Sequence, residues 1–243
     1  MLDLRKMCLE HGFHGSGGKY FRIIGDGVMQ GIFEWHTGYI DPSSPEYSEQ
    51  HRKAKYITVG LWSLYSELDE SIFIREESNG LYGLSNFEGK CWNSDPFMGN
   101  QHDRKLLADL GLPLLDRIKT QNQLADVIIR FSTLEYGGLL PQQISIFGAF
   151  MKSGRKSEAL QRVQACFTHF WLPRLERYKG TLTVEELAEF FSSMPTQLEE
   201  SQKLARMWGL CLIDTQDCID AYLQKNYDTN IERALRANIP IIK

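Results

Sequence analysis

The residues able to do chemistry are scattered along the chain. Gly15-Ser16-Gly17-Gly18-Lys19 has the composition of a phosphate loop but not its spacing. The Walker pattern needs glycine where Phe13 stands and Ser or Thr where Tyr20 stands, and it opens a helix instead of leading into a strand. The six histidines, His11, His14, His36, His51, His102 and His169, form no HxH or HExxH pair, and His11 and His14 flank a helix stop at Gly12. No metal site is expected. There is no GxSxG elbow. Cys8, Cys166 and Cys218 fall on predicted helices, where a thiol is ordinarily inert core. Cys91, beside Trp92, is the one cysteine with a potential nucleophilic role, and it lacks a base at recognisable spacing. Glu76 and Glu77 are neighbours on a predicted strand, so they point to opposite faces and cannot act as an acid–base pair.

Two polar groups remain. Arg22, Gln30 and Glu34 share one face of a predicted hairpin and form the candidate binding patch. Cross-strand polar pairing is the plainer explanation. Lys152, Arg155 and Lys156 stand beside a helix start. Arg155 and Lys156 are the candidate anion site, set against an ordinary helix–helix turn.

The element that must position the first group is Lys19–Trp35. Gly25-Asp26-Gly27 is a turn signal between two β-rich runs. A three-residue loop pairs Ile24 with Val28, Arg22 with Gln30 and Phe21 with Gly31. That register gathers Phe21, Ile23, Met29, Phe33 and Trp35 on one apolar face, which is expected to meet the helices. Arg22, Gln30 and Glu34 then lie on the opposite, outward face. A two-residue loop would mix the sets, and a one-residue slip flips every side chain.

Around the hairpin, residues 2–11 read as an amphipathic helix ending at Gly12, and Gly15–Gly18 as a flexible lead-in. Residues 37–55 are a polar, proline-containing excursion. Residues 56–65, YITVGLWSLY, suit a central strand covered on both sides. IFIREE at 72–77 and LYGL at 81–84 flank Asn79-Gly80 as a second hairpin, and Lys90–Asn93 adds a short strand. After Pro96 the pattern turns helical. A helix spans 101–110 with Leu106, Leu107 and Leu110 on one side. A capping box starts at Thr120, another helix follows Pro141 and stops at Ser153-Gly154, and a further one covers 157–172. Capping boxes recur at Thr183 and Thr196. A last helix covers about 214–225, with another turn near 231–235. The expected class is α+β: an N-terminal, mostly antiparallel sheet with a packed helix over 1–98, followed by an all-α part over 99–243.

The composition supports that division. Of a net charge of −4, residues 1–98 carry nine basic against fourteen acidic side chains, and 99–243 carry eighteen against seventeen. The acidic part is also the glycine-rich part. Such a balance argues against nucleic-acid binding. Five scattered cysteines without CxxC spacing read as reduced thiols of a cytoplasmic protein. The N-terminal MLDLRKMCLEHG is no signal peptide, and no run nears the roughly 18 apolar residues of a membrane span.

Gly12-Phe13, Tyr20-Phe21-Arg22, Gln30 and the YITVGLW strand together resemble a family of uncharacterised bacterial proteins, a domain of unknown function. Its members have a helix, a GF step, an F/Y-R strand and a hairpin return bearing Gln, often with a helical tail containing a GLP-like step. Leu110-Gly111-Leu112-Pro113 is similar to that step. The resemblance covers roughly residues 1–130 and implies the α+β fold and a bacterial, cytosolic origin, but no activity. In this chain Gly31 follows Gln30 where the family more often repeats a Gln. The functional expectation is a non-enzymatic protein-interaction module, accessory or immunity-like, without a cofactor and with a protein partner. The alternative is a hydrolase or transferase at the sheet–helix junction, using Arg22, Glu34, His36 and Cys91.

Overall fold

In the computed structural model, residues 3–36, 55–73, 81–83, 104–131, 140–166, 195–212 and 214–242 are described. Residues 74–77 of the expected 72–77 strand, the Asn79-Gly80 turn, Lys90–Asn93, residues 37–54 of the 37–55 excursion, the second half of the 157–172 helix and the compositional boundary near 98 lie outside them.

The α+β class holds. Helix α1 (Leu4–Glu10) is capped by the Asp3 carboxylate, which accepts from the Arg5 and Lys6 amides. Gly12, at φ +76°, ends it. Strands β1 (His14–Ser16), β2 (Lys19–Ile24), β3 (Val28–His36), β4 (Lys55–Ser63) and β5 (Leu81–Gly83) follow in spatial order, all antiparallel. The expected flexible lead-in is therefore a strand and a tight turn, with Gly17 and Gly18 at positive φ. The hairpin register is the predicted one, with Arg22 opposite Gln30 and Phe21 opposite Gly31.

The C-terminus completes the sheet. Strand β6 (Ile241–Ile242) runs parallel to β2, opposite Ile23 and Ile24. Thus β1 covers one half of the β2 edge and β6 the other, leaving little of that edge unpaired.

Ile72 and Phe73, expected in a strand, lie in a one-turn helix, α2 (Glu70–Phe73), and both are buried. A helical run over 104–115 contains a π-helical turn at Leu107–Gly111, followed by α3 (Leu112–Leu115). The Leu112 amide reaches back five residues to the Leu107 carbonyl. Pro113 lacks an amide hydrogen, and the wider turn accommodates it inside the run. It also rotates the stripe: Leu107 is buried but Leu110, expected beside it, is exposed.

Next come α4 (Gln121–Phe131), α5 (Leu140–Lys152), α6 (Lys156–Cys166), α7 (Pro195–Leu212) and α8 (Gln216–Arg236). The capping box before α4 is reciprocal. Thr120 Oγ1 accepts from the Gln123 amide, and Gln123 Oε1 accepts from the Thr120 amide. The 214–225 helix and the 231–235 turn are one continuous helix. Asn226-Tyr-Asp-Thr-Asn230 reads locally as a breaker, but Asn226 and Asn230 spend their amides on another part of the chain.

Both sheet faces are buried. On one, Phe21, Ile23, Met29, Phe33 and Trp62 pack with Leu68, Ile72, Phe73 and, from α8 and beyond, Ala234 and Ile239. Gly31 and Gly60 are paired across β3 and β4 beneath the Trp62 ring, which lies where a Cβ on Gly60 would stand. The expected contact of this apolar face with helix is met by α2 and α8. The larger helical layer, however, covers the other face. Tyr20, Ile24, Val28 and Ile32 join Ile57, Val59 and Leu61 in one core with α1, α3–α6 and parts of α7 and α8. The mixed face is therefore not outward: Arg22 and Gln30 are 2% and 0% exposed. Its four apolar positions outnumber its polar ones, and desolvating them drives burial.

Helix α8 fastens the turn after β4. Asn230 Nδ2 donates to the Leu64 and Ser66 carbonyls, both at 2.8 Å, Asn226 donates to Tyr65 O at 3.2 Å, and Arg233 donates to Leu68 O at 2.7 Å. These three residues lie at i, i+4 and i+7, one stripe of the helix. Ser66 Oγ also accepts from the Gly148 amide at 2.8 Å, where α5 comes so close to the turn that a Cβ on Gly148 would overlap its backbone. Asn230→Ala strands two buried carbonyls. Urea unfolding is expected to show a loss of about 2 kcal/mol, with a smaller loss for Asn226→Ala at the half-buried end.

Candidate functional site

The hairpin brings Arg22 and Gln30 together, with partners that sequence spacing does not reveal. Arg22 Nε donates to Gln30 Oε1 at 2.9 Å, and its Nη1 donates to the His11 carbonyl at the end of α1. Its Nη2 faces Asp116 Oδ1 at 2.7 Å, and its guanidinium lies over the Phe13 ring at 4.2 Å. Gln30 Nε2 donates to the Leu115 and Ile118 carbonyls at 2.8 and 3.0 Å. Asp116 also meets His11 Nδ1 at 2.8 Å. Burial lowers the Arg22 pKa, and the Asp116 carboxylate opposes that shift.

This arrangement ties α1 and the turn after α3 to the sheet. The polar atoms of Arg22 and Gln30 are directed at backbone carbonyls and a carboxylate of the same chain, which is the cross-strand pairing reading taken inward. Glu34, on the same face, pairs with Arg104 at 2.8 Å, with both side chains largely buried. The side chain of His36 and the whole of Cys91 lie outside what is described, so of the four residues in the enzymatic alternative the structure places two, Arg22 and Glu34. Each has an internal ionic partner, Asp116 for Arg22 and Arg104 for Glu34.

Around the second candidate, Arg155 is held by two carboxylates, Glu158 at 2.7 Å and Asp126. Those hydrogen bonds raise its pKa. Gly154, at φ +71°, terminates α5, and the Arg155 amide donates to Phe150 O at 2.8 Å. Lys152 lies over the Tyr65 ring at 4.7 Å. These contacts are those of a helix–helix turn, and Lys156 sits at its start, half-buried.

Among the thiols, Cys8 is fully buried and burial pushes it up to about 12, and Cys211 is pushed up to about 11 by the same cause. Cys218 is exposed. Among the described residues, no three His, Cys, Asp or Glu side chains converge as a metal site, and no helix is long and apolar enough to cross a membrane.

A different place has the shape of a site. A cleft of about 610 Å³ opens between residues 67–70, α7 and α8. One wall carries Glu67, Asp69 and Glu70; the other carries Lys203 and Arg206 from α7 and Lys225 and Arg233 from α8. Two ion pairs span the walls, Lys203–Asp69 at 2.7 Å and Arg206–Glu67 at 2.6 Å. The Lys203 side chain is 6% exposed, so its charge is the more desolvated of the two and the costlier to leave unpaired. Tyr222 adds a hydroxyl 3.4 Å from Glu67, its pKa pushed up to about 12 by burial and then by that carboxylate. Lys225 and Glu70 are exposed and make no ion pair among the described residues. Sequence reasoning missed this cleft because its walls are more than 130 residues apart in the chain. Its one local signal was the polar stripe of α8 at Tyr222, Asn226, Thr229 and Arg233. Compared with protein families, with characterised proteins and with solved structures, the chain finds no match.

The thiols provide a direct check on which groups are accessible. Brief alkylation of the native protein at pH 8, followed by peptide mass mapping, is expected to label Cys218 and to spare Cys8 and Cys211 until urea is added. Labelling of native Cys8 at the rate of Cys218 would contradict the burial of α1 on the sheet.

Proposed function

We propose that this chain is a non-enzymatic protein-interaction module of the bacterial cytoplasm, in an accessory or immunity-like role, and that its partner docks at the cleft between residues 67–70 and helices α7 and α8. The observation that carries the reading is the division of that cleft into an acidic and a basic wall. Opposed walls of fixed charge favour a partner of complementary pattern and disfavour others, which is how electrostatics supplies specificity. Of the four residues of the enzymatic alternative, the two whose side chains are described, Arg22 and Glu34, support the same reading: both have internal partners, as does Gln30 beside them, and these polar atoms of the hairpin serve the fold.

The test uses the tagged full-length chain in native bacterial lysate. A stoichiometric protein partner is expected at low ionic strength. It should be released at about 0.5 M salt, where the screening length falls to roughly 4 Å. It should also be lost from the Lys225→Glu variant. Recovery of the protein alone at low salt, or a partner retained equally by Lys225→Glu, would count against the proposal.

A further inference from the structure

We infer that the cleft receives an extended segment of alternating charge, with acidic side chains turned toward α8 and basic ones toward residues 67–70. The inference rests on the interaction reading above and specifies the chemistry of the partner. Lys203 and Arg206 are already matched by Asp69 and Glu67 across the cleft. Those pairs bridge the two walls, and outside any ion pair among the described residues they leave one exposed charge of each sign, Lys225 on α8 and Glu70 at the start of α2. A ligand of a single sign gains at one of these groups and is repelled at the other. Successive side chains of an extended chain point to opposite sides, so a sequence alternating acid and base presents one sign to each wall. Thr229 and Tyr222 line the same cleft; their hydroxyls donate to Lys225 O and to Glu67 and are left as acceptors for a ligand.

The probes are three synthetic octapeptides, alternating Glu-Lys, all-Glu and all-Lys, titrated calorimetrically into the full-length protein at low salt. The alternating peptide is expected to bind about ten-fold tighter than either homopolymer, a difference of about 1.4 kcal/mol. Lys225→Glu and Glu70→Lys are exposed changes that leave the core untouched. Each should reduce alternating-peptide binding by about ten-fold, the first shifting preference to all-Lys and the second to all-Glu. The double exchange Lys225→Glu/Glu70→Lys should restore it, because a one-residue slip of the peptide reverses its polarity. Homopolymer binding equal to that of the alternating peptide, no binding at all, or a double exchange that stays weak would overturn the inference. A lysate partner that persists while the alternating peptide fails would refute the inference alone. Loss of the partner itself would refute the reading beneath it.

Discussion

The fold depends on how one buried cation is compensated. Arg22 sits in the middle of a strand, between a helix and a sheet, where an unpaired charge would cost several kcal/mol. Its guanidinium reaches a neighbouring strand through Gln30, the end of α1 through the His11 carbonyl, and the turn after α3 through Asp116. Gln30 extends the same network to the carbonyls of Leu115 and Ile118. Three segments within residues 11–30 and one around residues 115–118 are thereby fixed against each other. The apolar core around them could be filled in many ways, but these directional hydrogen bonds, with the Arg22–Asp116 ion pair, select one packing of α1 and α3 on the sheet.

A similar device with different chemistry fastens the C-terminal helix. Helix α8 applies Asn226, Asn230 and Arg233 to the carbonyls of the turn that follows β4, and then returns as β6 along β2. Tyr227, on the same helix, stacks on Tyr65 at 4.8 Å, and the Tyr65 hydroxyl donates to Asp26 in the hairpin loop at 2.9 Å. That hydrogen bond adds to burial in raising the Tyr65 pKa. The C-terminal helix therefore belongs to the core of the N-terminal sheet. The charged cleft lies where this helix, α7 and the turn meet, on segments already held in place by the fold, and a site built on such segments keeps its geometry.

Local patterns were legible where one interaction decides the structure. The hairpin register followed from side-chain alternation, the Thr120 box from residue types three apart, and the α5 stop from Ser153-Gly154. The parts that were not legible depend on pairing at long range. Arg22, Gln30 and Glu34 looked like an outward patch because their partners, His11, Asp116 and Arg104, could not be assigned to them by spacing. The Asn226–Asn230 stretch looked like a break because the carbonyls that engage it belong to residues 64–66. Ile72 and Phe73 looked like strand because two apolar residues in a row carry no periodicity that separates a strand from one turn of helix. The cleft was invisible for the same reason as the network: it is assembled from segments far apart in the chain.

The central claim, that the hairpin's polar face serves the interior, is tested most directly at its exposed end. Asp116 is 40% exposed, and substitution at such a position ordinarily changes stability by within about 0.5 kcal/mol. Because this carboxylate compensates a cation that is 2% exposed, Asp116→Asn is expected to lower the urea unfolding free energy by about 2–3 kcal/mol, after allowance for screening at the half-exposed end. An Asp116→Asn protein as stable as the wild type would contradict the account, because the buried Arg22 charge would then not depend on this carboxylate.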